Sequence, residues 1–236
     1  MSDMIQQGYP PLLRSTSKRG TAVIRRKVGR STAAWAAGAA LLLQTGCGSD
    51  DSKSTALSAK QVEAALPGGA AMPGWTVSEE PEAIPMNSMH KQLVCPNEGN
   101  KGCEDARFYG LSTFHRDDKN ANAYFQMAAY KDEQTAETAY EALWKINSRG
   151  PGPKAKNLDL GALGEESNAR VGTVDFRGEP GAVAQVRVGT TLLWVQVTGT
   201  RKGDIDDALV KDMASLFSVR AEQAQKGDRP SATLGS

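Results

Sequence analysis

Hydrophobic and polar positions along the chain follow two periods, and the places where the period changes mark the elements. Val62, Ala65 and Leu66 share one side of a short helix expected over residues 59–66, with Ser58 as its N-cap. Pro67-Gly68-Gly69 stops that helix. A brief strand is expected over 76–78. Residues 79–104 carry Pro81, Pro85 and Pro96, show no period and read as a long loop. Phe108, Tyr109, Leu111, Thr113 and Phe114 give 106–115 the composition of a strand. Asp117-Asp118-Lys119-Asn120 is a turn. In the next strand, 122–130, Phe125, Met127 and Ala129 share one face, while Tyr124, Gln126, Ala128 and Tyr130 share the other. The pair reads as a hairpin.

A helix is expected over 132–148, with Ala136, Ala139, Tyr140, Leu143 and Ile146 at helical spacing. Arg149-Gly150-Pro151-Gly152-Pro153 ends it. After a strand over 171–176, residues 182–188 and 191–198 make the clearest hairpin, joined at Gly189-Thr190. The second of these strands is apolar on both sides, Leu193, Val195 and Val197 against Leu192 and Trp194. A strand of that kind is central, or is covered by a helix. A last helix runs from after Asp204 to about Gln223, its expected stripe made of Ile205, Ala208, Leu209, Met213, Leu216 and Phe217. Hairpins separated by helices predict an α+β fold, an antiparallel β-sheet with helices packed on it in a single domain over 58–224. The tail 225–236 carries nothing to order it and is expected to be disordered.

The first part of the chain follows another pattern. Residues 1–46 hold seven basic groups and one acidic group, six of the basic ones between Lys18 and Arg30. The near-neutral total of +1 is therefore a basic leader joined to an acidic body of net −5. An acidic body argues against nucleic acid as a partner. The apolar stretch from Ala33 to Leu43 fits the core of a signal peptide and is too short for a membrane span. It runs into Leu41-Leu42-Leu43-Gln44-Thr45-Gly46-Cys47, which resembles the lipobox of bacterial lipoproteins, with Gln44 where that family usually has Leu. On this reading 1–46 is removed and Cys47 carries lipid. Residues 47–57 are a flexible tether, and the domain sits at the outer face of the cytoplasmic membrane, held through its lipid anchor. Arg25-Arg26 leaves the twin-arginine and general secretory routes equally open.

Lipidation of Cys47 leaves Cys95 and Cys103, an expected disulfide in an oxidising compartment. The Pro, Asn and Gly residues between them let the chain turn back on itself. A zinc site would need more ligands than these two Cys with His90 and His115 supply at a known spacing, so no metal and no cofactor is expected. No catalytic motif is visible. His115 and Asp117 could be joined by a Ser into a nucleophile set, but no activating context surrounds them, and Glu165-Glu166 reads as a polar turn. Gly161-Ala162-Leu163-Gly164 lacks the strand-then-helix setting of a phosphate loop. The aromatic residues Trp75, Tyr124, Tyr130 and Trp194, with Trp144, are the candidate lining of a pocket for an apolar or sugar-like ligand.

The order of elements resembles a known group. It comprises a helix into Leu66-Pro67, Pro73-Gly74-Trp75, the Ala-rich helix Ala136–Trp144, Leu163-Gly164-Glu165-Glu166, the Val-Arg-Val-Gly of Val186–Gly189, and a closing helix Ala208–Phe217. Over about residues 57–224 this is similar to small actinobacterial lipoproteins resembling the extracytoplasmic sensor domains of receptor Ser/Thr kinases. The resemblance implies an α+β domain whose sheet backs a ligand cleft. Those domains often hold two disulfides, whereas this one has cysteines for one. The function expected is a non-catalytic, lipid-anchored protein that binds or senses a small molecule, a lipid or an envelope component. The alternative is a protein-interaction or envelope-structural lipoprotein without a small ligand.

Two outcomes test these readings. Cys47→Ser should release the protein from membranes or leave its leader uncut, read by fractionation and intact mass; unchanged retention with normal processing overturns the lipid anchor. Thiol titration of the unreduced mature protein should find neither Cys95 nor Cys103 free, the bond holding their Cα atoms about 4.4–6.8 Å apart.

Overall fold

The computed structural model describes residues 54–87, 89–91, 103–174, 178–201 and 203–235. The leader, Cys47 and Cys95 lie outside these, and Cys103 opens a short 3₁₀ turn, Cys103–Asp105. Residues 50–236 group as one compact unit. Its buried core is drawn from residues between Leu57 and Ala224, so the unit carries its own core. No helix among the described residues is long and apolar enough to cross a membrane.

The elements run α1 (Ala59–Ala65), β1 (Thr76–Pro85), β2 (Phe108–Arg116), β3 (Ala121–Ala129), α2 (Glu133–Asn147), β4 (Lys156–Asn157), β5 (Glu166–Thr173), β6 (Pro180–Val188), β7 (Thr191–Thr198) and α3 (Asp207–Gln225). The seven strands form one sheet in the order β1-β2-β3-β7-β6-β5-β4, every neighbouring pair antiparallel. The fold is α+β, as the pattern of hairpins and helices predicts. β7 is the middle strand, and its two-sided apolarity is used on both sides. Leu193, Val195 and Val197 join Phe125, Met127 and Ala184 under α1 and α3. Leu192 and Trp194 join Ala128, Tyr130, Ala136, Ala139, Tyr140 and Leu143 under α2.

Side-chain geometry locks the larger core. Phe114 meets Phe125 edge-on at 5.7 Å, and Phe125 meets Phe217 edge-on at 5.5 Å, so an aromatic chain runs from β2 through β3 to α3. Gly110 lets α1 close onto β2, because a Cβ there would stand 2.8 Å from Val62 Cγ1 and 3.0 Å from Leu66 Cδ1. The helices are capped as their sequences suggest. Ser58 and Gln61 form a reciprocal capping box on α1. Asp132 accepts from Thr135 N at 2.8 Å and Asp206 from Leu209 N at 2.8 Å.

Three expectations are corrected. The proline-bearing stretch after Ser78 is not loop throughout, since β1 continues to Pro85. It is an edge strand with two register shifts, where prolines leave no ladder bond unmade. The stripe predicted for the last helix is corrected at Ala208, which is exposed, and at Leu209, which is half-buried, while Ile205, Met213, Leu216 and Phe217 are buried as expected and Val210, Ala214, Ala221 and Ala224 join them. The tail 225–236 is expected to be disordered, but its described residues, 225–235, fold back along α3. Gln225 still belongs to the helix, Asp228 N donates to Gln223 O at 2.8 Å, Ser231 N to Gln223 Oε1 at 2.8 Å and Leu234 N to Ala71 O at 2.8 Å. Ala232 and Leu234 pack on the core, burial that a short polar segment does not announce.

Leu216, 4% exposed, should cost about 2–5 kcal/mol when changed to Ala, and buried Trp194 about 3–5 kcal/mol. Half-buried Leu209→Ala should cost less than either. Urea unfolding midpoints at constant slope give the comparison.

Candidate functional site

The four aromatic residues expected to line a cleft do not meet. Trp75 is 7% exposed and sits in the core on the α1/α3 side, with the Arg116 guanidinium 5.9 Å above its ring. Tyr130 and Trp194 are buried on the other side of the sheet, beneath α2. Burial pushes the Tyr130 phenol above its ordinary range, and its hydroxyl finds no hydrogen-bond partner among the described residues. Tyr124 is half-buried in a cross-strand row with Glu79, Thr113 and Gln196, on the stretch of sheet beyond the α2 core. Trp144 is half-buried on α2. Alternation told which face each residue occupies, but not that helices cover both faces.

His115 does find a serine. Ser78 Oγ lies 3.0 Å from His115 Nδ1, and Asp117 Oδ1 lies 3.6 Å from Nε2. The second distance is too long for a hydrogen bond, and the Asp117 side chain is 89% exposed. Water screens such a pair, and the geometry is that of a surface contact. Glu165 and Glu166 converge on one cation, Arg187: Glu166 pairs with its Nε, Glu165 stands 3.7 Å from Nη1, and Glu165 also accepts from Gly189 N at 2.9 Å. The two carboxylates thus fasten the start of β5 to the β6–β7 turn.

The arrangement with room for a ligand lies where α1 ends. A seven-residue helix leaves its last carbonyls without intrahelical donors, and α1 stops in the extended residue Leu66 ahead of Pro67. Arg220 reaches across from α3 to supply donors. Its Nε donates to Ala65 O at 3.1 Å, and its Nη2 to Ala64 O at 2.9 Å and to Leu66 O at 3.1 Å. Its Nη1 donates to Ala232 O of the tail at 3.1 Å. One guanidinium thereby ties α1, α3 and the tail together.

Arg220 is 8% exposed, and among the described residues no carboxylate stands within ion-pair distance of it. Desolvation pushes its pKa down, though a guanidinium stays charged at neutral pH. Among the described residues, its charge is met by carbonyl dipoles. Beside it opens a cavity of about 830 Å³, bounded by α1, the turn before β1, Pro81 of β1 and the folded-back tail. Leu66, Pro81 and Pro230 give it apolar wall, while Lys60, Arg229 and Arg220 bring positive charge and Glu63 and Glu80 negative. The sequence held one signal of this site. Arg220 follows Met213 and Phe217 and precedes Ala224 at the spacing of a buried helix face, so a charge occupies a core position. The tail that walls the cavity carried no such signal.

A second cavity, of about 730 Å³, lies where the chain enters the fold, lined by Ser54, Thr55, Glu165, Gly189, Glu222 and Lys226. Ser54 N donates to Glu133 Oε1 at 2.9 Å, Thr55 Oγ1 to Gln225 O at 3.1 Å, and Thr190 Oγ1 to Thr55 O at 3.3 Å. Gly189, at φ 48°, permits this crowding, because a Cβ there would stand 2.1 Å from Gln225 Oε1 and 2.4 Å from Ser54 Oγ. No metal-binding cluster of His, Cys, Asp and Glu is present among the described residues.

No protein-family model matches the chain, and no curated protein matches it. Among solved structures, the extracellular domain of PknH from Mycobacterium tuberculosis superposes with a TM-score of 0.47 at 9% sequence identity, over 74% of this chain and 99% of that one.

Proposed function

We propose that this is a lipid-anchored, extracytoplasmic, non-catalytic binding protein that holds a small molecule, a lipid or an envelope component. The observation that carries the reading is the cavity at the end of α1. Its volume of about 830 Å³ falls in the range of small-molecule sites, roughly 300–1,000 Å³, and it combines apolar wall with a few charged groups. The membrane anchor is supported by the lipobox-like run ending in Cys47. Six residues separate Cys47 from Ser54, a stretch whose ends stand at most about 25 Å apart, so the entry cavity would stand near the membrane. A Cys95–Cys103 disulfide belongs to the same proposal, bonded after export.

The alternative of a protein-interaction lipoprotein without a small ligand would draw support from a contiguous apolar surface patch. The exposed large hydrophobics among the described residues are Met89 and Val219, single positions far apart in the chain.

Native mass spectrometry of the protein released gently from its membranes tests the reading. The expected result is a fraction of molecules carrying a small-molecule mass that disappears on unfolding and is absent from Ala70→Trp, a substitution that fills the cavity from the exposed turn ahead of β1. A single unliganded mass for both proteins, whatever the mildness of release, overturns it.

A further inference from the structure

We propose that the cavity at the end of α1 is a site for singly charged anionic amphiphiles, seating a carboxylate-type head against Arg220 and its apolar body along Leu66, Pro81 and Pro230. This rests on the reading that the cavity holds a ligand, and adds the chemistry of that ligand. A guanidinium carries five N–H groups. Four of those of Arg220 donate to Ala64, Ala65, Leu66 and Ala232 carbonyls. The remaining one, on Nη1, has no acceptor among the described residues, and Arg220 lines the cavity. Those four bonds also hold the guanidinium in place, so an arriving anion finds a pre-positioned donor and no ordering of a long side chain is required.

The charges around the cavity define the head group further. Lys60, Arg229 and Arg220 stand against Glu63 and Glu80, an excess of one positive charge. One negative charge balances that excess; a neutral ligand leaves the buried guanidinium uncompensated, and a cationic one adds to it. The buried cation is the decisive member, since charge is screened least where water is excluded. The apolar wall is short and formed of rigid residues, two of them proline, which suits an alkyl or ring body and excludes a fully hydrated inorganic ion as the complete ligand.

The test uses the 50–236 unit, which carries its own core, and calorimetric titration with octanoate, 1-octanol and octylammonium. Octanoate should bind saturably at one site, and the neutral and cationic probes at least about tenfold more weakly, the value of a hydrogen bond to a charged group. Octanoate binding should weaken as salt rises. Arg220→Ala removes the tie between α1, α3 and the tail and is prone to unfold, so the rim carries the mutational arm. Lys60→Ala with Arg229→Ala should lower octanoate affinity and leave 1-octanol and the thermal midpoint unchanged. Octanol binding as tightly as octanoate, with Ala70→Trp abolishing both, overturns the anion assignment while the cavity remains a ligand site. Absence of saturable binding by all three probes, in parent and Ala70→Trp alike, overturns the amphiphile site, while the native mass measurement decides whether the cavity holds any other ligand.

Discussion

The constraint on which the structure depends is the two-sided burial of the central strands. β7 has apolar residues on both faces, and its neighbour β6 is buried along nearly its whole length. A strand of this kind in an antiparallel sheet cannot face water on either side, so a helical layer is needed on each. α1 and α3 supply one and α2 the other. The remaining features follow. A covering helix shields a face and not an open backbone edge, and α1 packs on the faces of β1 and β2, so the edges must protect themselves. β1 does so with prolines and register shifts, and β4 by being two residues long and polar.

Covering the α1/α3 side created a local problem, and its solution shaped the candidate site. Like any helix, α1 leaves its last carbonyls without intrahelical donors, and it is packed against the sheet. An arginine on the buried face of α3 donates to three of those carbonyls and to one in the tail. Burying a charge is costly unless polar partners replace its hydration, and here carbonyl dipoles take that part. They orient the guanidinium without neutralising it, and that difference between a satisfied donor and a balanced charge leaves a positive floor in the cavity.

Most of the fold was legible because it rests on local regularities. β7 was read at its full bounds, the α2 apolar positions Ala136, Ala139, Tyr140 and Leu143 are buried, and the Ser58 cap is in place. The misreadings have separate causes. β1 was cut short because edge strands tolerate prolines that a central strand would not. The α3 stripe omitted Ala214, Ala221 and Ala224 because it was drawn mainly through large residues, and these small ones pack beside Met213, Leu216 and Phe217.

By itself the sequence determined the element types, the face on which each strand residue lies, and the requirement that β7 be enclosed, because side-chain period and apolarity are set residue by residue. It also carries the basic and then apolar run that precedes Cys47. Which distant groups meet was decided only in three dimensions. Of the candidate aromatic residues, Tyr124, Tyr130 and Trp194 share one face of the sheet, where α2 covers Tyr130 and Trp194 and leaves Tyr124 beyond it, while Trp75 precedes β1 and packs on the other side. The cavity arose because a helix end, an arginine some 155 residues later and the folded-back tail come together, and bonds from a side chain to a remote carbonyl leave no period in the chain.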